Sequence, residues 1–151
     1  MLTDKLISLG IALPTVSGPF GAYVPARRVG NLIYVAGQLP MKDGKLLASG
    51  AVPSKCSIES AQAAARQCVI NGLAAAATVV DSIDAITGVV RVGAFVSSDD
   101  SFTKQPTVAN AASELLLQLF GDDGKHVRAA VGVNVLPLDA SVEIEMILAT
   151  Q

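Results

Sequence analysis

Residues 126–137 read HVRAAVGVNVLP, and every second side chain falls into one of two sets. Val127, Ala129, Val131, Val133 and Val135 form the first; His126, Arg128, Ala130, Gly132 and Asn134 form the second. Alternation of this length predicts a β-strand over 126–136. The last segment, 141–149, repeats the pattern: Val142, Ile144, Met146 and Leu148 alternate with Glu143, Glu145 and Ile147. If the two strands form a hairpin, their apolar faces belong together under the helices, because a one-residue slip turns every side chain over. The connection Pro137 to Ala140 then sets Leu136 opposite Ser141 and Glu143 opposite Asn134. This register puts Arg128 and Glu143 on the same face, away from the helices. It also separates them by six residues, roughly 20 Å at about 3.3 Å each. Cooperation between an Arg128 and a Glu143 therefore requires two subunits.

The bulk composition agrees with self-association. Hydrophobic residues make up 51% of the 151 and charged residues only 16%, against about 25% charged in an average soluble domain. The longest largely apolar run, 68–80, is interrupted by Asn71 and too short to span a bilayer. The net charge of −2, the 4% aromatic content and the lack of Trp offer neither a basic footprint nor a stacking platform for nucleic acid. Asp4 stands too early for a secretory leader, and Cys56 and Cys68 are too few for a disulfide scaffold. A cytoplasmic location and a single domain over 1–151 are expected, without nucleic-acid or membrane partners.

Along the chain, 3–10 predict a short helix stopped at Gly10, and 23–29 and 31–38 two strands. Lys42-Asp-Gly-Lys45 predicts a tight hairpin, with a further short strand over 46–51. Ser57 is the expected N-cap of a helix reaching about Val80, with Glu59 in its first turn. Its stripe Ala61, Ala65, Cys68, Gly72, Ala76 and Val79 is built of small residues, as close packing on a sheet requires. A strand over 85–97, a helix over 107–120 ended by Gly121 and the two closing strands complete the order.

Three segments at characteristic spacing carry a resemblance. Gly30-Asn31-Leu-Ile-Tyr-Val-Ala-Gly37-Gln38-Leu-Pro40, Arg128 followed eight residues on by Leu136-Pro137, and Val142-Glu143-Ile144-Glu145 resemble the RidA (YjgF) family. The likeness covers about 20–150, and residues 1–20 are similar to the longer N-terminus of a divergent subgroup. It implies an α/β (α+β) chorismate-mutase-like fold: one mixed β-sheet with two helices on one face, in a homotrimer with clefts between subunits. It also implies an enamine/imine deaminase that releases 2-keto acids and ammonia from 2-aminoacrylate-type intermediates, without metal or organic cofactor. On this resemblance Arg128 holds the substrate carboxylate and Glu143 positions water. Tyr23 and Asn110 line the pocket, and Gly37 and Ala130 contribute backbone contacts. Two positions depart from the family: Ala36 replaces a usual Ser or Thr, and GKHV (124–127) replaces the Pro-Ala ahead of the arginine.

Other candidates read as structural. His126, the only histidine, reads as a surface residue at a strand end rather than a base beside Arg128. With one His and two Cys, a zinc site is not expected. Cys68 lies on the packing stripe, Glu145 reads as a solvated or ion-paired companion of Glu143, and GDDGK (121–125) lacks phosphate-loop spacing. The functional alternative to the deaminase is a non-catalytic trimeric module that binds keto acids in the same cleft. A ribonuclease, the third activity attached to the family, is disfavoured by the acidic balance.

Overall fold

The computed structural model describes residues 1–18 and 20–151. A short helix α1 (Leu2–Ser8) is followed by strands β1 (Ala26–Val29) and β2 (Leu32–Gln38) and a ribbon of β3 (Met41–Lys42) and β4 (Lys45–Leu46). Helix α2 (Ile58–Ala77), strand β5 (Ile86–Ser97), helix α3 (Gln105–Phe120) and strands β6 (Val127–Val133) and β7 (Val142–Thr150) complete the chain. The main sheet has the order β1-β2-β7-β5-β6. Only the β5–β6 pair is parallel, as expected for two strands joined through a crossover helix, here α3.

Local chemistry explains most element ends. The Ser57 side chain accepts a hydrogen bond from the Ser60 backbone N–H, capping α2. Asp43 and Gly44 both have positive φ, 52° and 78°, as a two-residue type I′ hairpin requires. The ribbon ends at Leu46; beyond it Ser49 makes only an isolated bridge to Ala140, so no strand spans 46–51. β1 is likewise shorter than 23–29.

Both α2 and α3 cover one face of the sheet. The α2 stripe is buried at Ala61, Ala65, Cys68, Gly72 and Ala76, so the helix sits close against β2, β7 and α3. Leu73, Leu115 and Leu116 fill the space between the helices and the sheet rows at Val92, Ile144, Met146 and Leu148. Each such side chain contributes about 1.5–3 kcal/mol by burial. α1 docks Leu2 and Leu6 into this core. Its N-terminus is held by Asp84, which accepts from the Thr3 backbone N–H (2.8 Å) and hydroxyl (3.0 Å).

The hairpin expected from residues 126–149 does not form. β5 lies between β6 and β7, parallel to the first and antiparallel to the second. The faces of β6 are also reversed. Arg128, Ala130 and Gly132 stand opposite Val92, Ala94 and Val96 of β5, whose side chains are buried under the helices. Val127, Val131 and Val135 are 67%, 45% and 58% exposed on or beyond the outer face. The physical reason lies at the start of α3. A Cβ on Gly132 would meet the Gln105 amide nitrogen at 2.7 Å and Ser98 Oγ at 3.0 Å. Gly132 thus leaves room for the Gln105 and Ser98 side chains, while the valines of β6 turn to the outer face.

Candidate active site

The reversed strand sends the Arg128 side chain towards α3. Its Nη1 donates to Asn110 Oδ1 (3.0 Å) and to Ser113 Oγ (3.1 Å). Asn110 and Ser113 lie three residues apart and so share one face of α3. Ser113 also meets His126, with Oγ to Nε2 at 2.9 Å, and His126 Nδ1 lies 2.6 Å from the Gly124 carbonyl oxygen. His126 is thus half-buried and joined to Arg128 through one hydroxyl, not a free surface residue at a strand end. Ala130, half-buried and paired with Ala94, follows Arg128 on the same face of this edge strand.

Glu143 occupies the other face of the sheet. The register of β2 on β7 shifts between Val35 and Gln38: three steps on β2 span two on β7, from Met146 to Ile144. This bulge brings the Gly37 backbone under the Glu143 carboxylate. A Cβ on Gly37 would collide with Oε1 and lie 3.0 Å from the carboxyl carbon. Burial, and then the like charge of Glu145, push the Glu143 carboxyl above its ordinary value. Glu145 is itself paired with Arg91 at 3.0 Å on the same face, as its reading as an ion-paired companion anticipated. Tyr23 is exposed in the turn ahead of Pro25, whose carbonyl accepts from the Ala36 N–H. It therefore lies towards the Gly37 end of β2, with its ring edge-on to Phe20 at 5.8 Å between centroids.

Six residues singled out in the sequence thus fall into two groups. Arg128, Asn110 and Ala130 gather at the β6 edge; Glu143, Gly37 and Tyr23 belong to the β2–β7 side. Within one chain they do not meet. Arg128 pairs with Val92, which pairs with Met146, three residues from Glu143. Three residues along the strand and two strand spacings put the Arg128 and Glu143 Cα atoms roughly 14 Å apart, with side chains on opposite faces. The hairpin register is wrong, but the separation it implied persists. Sequence reasoning missed Ser113; its i, i+3 spacing from Asn110 was the available signal.

Cys68 makes no nucleophile. Its thiol is fully buried against the Val142 carbonyl, and burial, then Glu143, raise its pKa. A cleft of about 820 Å³, between residues 10–17, the β3–β4 turn and α2, is lined also by Phe20 and Gln38 and so borders the Gly37 end of β2, without Arg128 or Glu143 in its lining. No helix among the described residues is long and apolar enough to cross a membrane.

Comparison with known proteins agrees with this architecture. The family model described as "YjgF/chorismate mutase-like, putative endoribonuclease" matches residues 3–149. Protein TCP17 of Trypanosoma cruzi is 38% identical over 145 residues, 95% of this chain and 91% of that protein. The crystal structure of Atu1372 from Agrobacterium tumefaciens, described as of unknown function, is 39% identical with a TM-score of 0.91, over 99% of this chain and 92% of its own. A "putative endoribonuclease" from Shewanella oneidensis MR-1 is 27% identical with a TM-score of 0.92, over 99% of each chain.

Proposed function

The chain belongs to the YjgF/chorismate mutase-like family, and from that membership and the two residue groups we propose that it is an enamine/imine deaminase working between subunits of a homotrimer. The observation that carries the reading is the division of the site. A guanidinium stands ready on one side of the sheet, and a carboxylate of raised pKa lies over a glycine bulge on the other. Each lacks the other within its own chain. The uncovered outer face supports a neighbour: the row Val127–Arg91–Ile147–Tyr34 runs across it, with Val127 and Tyr34 exposed.

In this reading Arg128 binds the carboxylate of a small 2-imino acid in two-point fashion. Asn110 orients the guanidinium, and Tyr23 with the backbone at Gly37 and Ala130 bounds the imine end. 2-Aminoacrylate tautomerises to the imine. Glu143 of another subunit takes a proton from water as its oxygen bonds to C2, and a proton goes to nitrogen. In the resulting carbinolamine the hydroxyl gives up its proton and nitrogen gains one by way of the same carboxyl group, so that the C–N bond breaks, ammonia leaves and the 2-keto acid remains. A carboxyl group of raised pKa suits both halves of this proton transfer. No metal or organic cofactor takes part.

One feature favours a second reading. Ala36 supplies no hydroxyl where the family usually has one, so a non-catalytic module that binds keto acids through the same residues is the alternative. The ribonuclease activity in the family's description draws no support from a chain of net charge −2 with 4% aromatic residues. The test is ammonia and keto-acid release from freshly generated 2-aminoacrylate and 2-iminobutyrate. Acceleration over the uncatalysed rate supports the deaminase. Binding of 2-ketobutyrate without acceleration leaves the module.

A further inference from the structure

We infer that Ser113 and His126 are positioning residues that set which edge of the Arg128 guanidinium faces the ligand, an inference that rests on the carboxylate-binding reading of Arg128. The hydrogen-bond chain starts at Gly124. Its carbonyl can only accept, so the hydrogen in the 2.6 Å contact belongs to His126 Nδ1. In the neutral ring Nε2 is then an acceptor, and the hydrogen in the 2.9 Å contact is the Ser113 hydroxyl's. With its proton directed at the imidazole, Ser113 Oγ turns a lone pair to Arg128 Nη1. The Asn110 carbonyl oxygen takes the other Nη1 hydrogen.

Both Nη1 hydrogens are thereby committed. A guanidinium has five N–H donors in one plane, and the remaining paired set is the Nε–Nη2 edge. Among the described residues neither nitrogen donates to a protein group in a hydrogen bond. A carboxylate therefore docks side-on, through Nε and Nη2, and not end-on across Nη1 and Nη2. Without His126 the Ser113 hydroxyl rotates freely, and without Ser113 the guanidinium pivots on Asn110 alone. The device belongs to this chain's 124–127 stretch, which brings His126 two residues ahead of the arginine.

The test is calorimetric titration of 2-ketobutyrate into the wild type and the variants Ser113→Ala, Ser113→Thr, His126→Leu, His126→Gln and Arg128→Lys. It is paired with the ¹⁵N spectrum of the His126 ring near pH 8, which is unambiguous because the chain has one histidine. Ser113→Ala and His126→Leu should each weaken binding by about tenfold, the worth of one hydrogen bond to a charged group. Thr at 113 and Gln at 126 keep a hydroxyl and an acceptor and should restore most of the affinity. The ring should be protonated at Nδ1 and bare at Nε2, and should shift when ligand saturates the site. If Ser113→Ala and His126→Leu bind like wild type while Arg128→Lys does not, the positioning role is refuted and the carboxylate site stands. A ring protonated at Nε2 overturns the positioning role even in a wild type that binds no keto acid. If wild type does not bind, or Arg128→Lys binds equally well, the carboxylate reading itself falls, and the inference with it.

Discussion

Adding one methyl group at Gly37 should disable the site without unfolding the protein. A Cβ there stands 3.0 Å from the Glu143 carboxyl carbon and 3.3 Å from its Cγ, and it overlaps Oε1. Optimal carbon–carbon contact is about 3.5–4.0 Å, so the carboxylate must retreat by roughly 0.5–1 Å. The obstructed atoms are the end of a flexible side chain, and Gly37 does not have a positive φ. The expected stability cost is therefore below about 1 kcal/mol, a fall in Tm of no more than about 4 °C. Catalysis is less tolerant. A misplacement of about 1 Å can cost about a hundredfold in rate, equivalent to about 2.7 kcal/mol of transition-state stabilisation. Gly37→Ala should thus lower kcat on 2-iminobutyrate by one to two decades while melting almost as wild type. If the methyl acts through Glu143, it should cost little more when Glu143 is already Gln, because the two changes remove the same interaction. A fully additive double mutant, or a Gly37→Ala enzyme of wild-type turnover, would refute the reasoning.

Arg128→Lys should lose about one to two decades in kcat/KM, because an ammonium cannot reproduce a planar two-point contact worth about 1.5–3 kcal/mol; retained activity would make the guanidinium structural. The acid limb of turnover should lie above the ordinary carboxylate range, since burial and then Glu145 raise the Glu143 carboxyl, and Glu145→Gln should move that limb to lower pH. A folded pKa above the unfolded one means that stability falls as pH rises through the interval between them. Glu143→Gln should therefore melt slightly above wild type at pH 7, and equally at pH 3, where the wild-type carboxyl is protonated. Asp84 has the opposite sign: the Thr3 backbone N–H, before the other contributions, lowers its pKa. Its hold on α1 is present above the ordinary Asp range and lost as pH falls through the lowered value, so Asp84→Asn should speed amide exchange in α1 at pH 7 but not in strong acid.

Features set by near neighbours in the chain were legible in the sequence. Ser57 caps α2, Asp43-Gly44 makes the hairpin, Gly121 ends α3, and the alanine stripe of α2 is buried as its spacing required. What local pattern does not carry is strand order. The four-residue connection Pro137 to Ala140 suggested a hairpin, yet β7 pairs with β5 and β2 in the middle of the sheet and β6 is left at the edge. The valines of β6 suggested a core face by their size. The pairing with β5 decided otherwise: it sets Arg128, Ala130 and Gly132 beside Val92, Ala94 and Val96, with Gly132 against the Gln105 and Ser98 side chains. Arg128 and Asn110 were both named from the sequence and are hydrogen-bonded; so were Gly37 and Glu143, which are stacked against each other. Ser113 escaped, and His126 was named but read as a surface residue, because their link depends on how α3 crosses β6, which no single segment encodes.

The central claim is that one working site takes Arg128 from one subunit and Glu143 from another. It is tested most directly by complementation. The impaired Arg128→Lys and Glu143→Gln proteins are mixed in equal amounts, unfolded, refolded together and assayed on 2-iminobutyrate beside each variant refolded alone. Random assembly gives each site an intact Arg128 with probability one half and an intact Glu143 with probability one half, so about a quarter of wild-type activity should return. No recovery from mixtures shown by mass to contain both chains would contradict the claim.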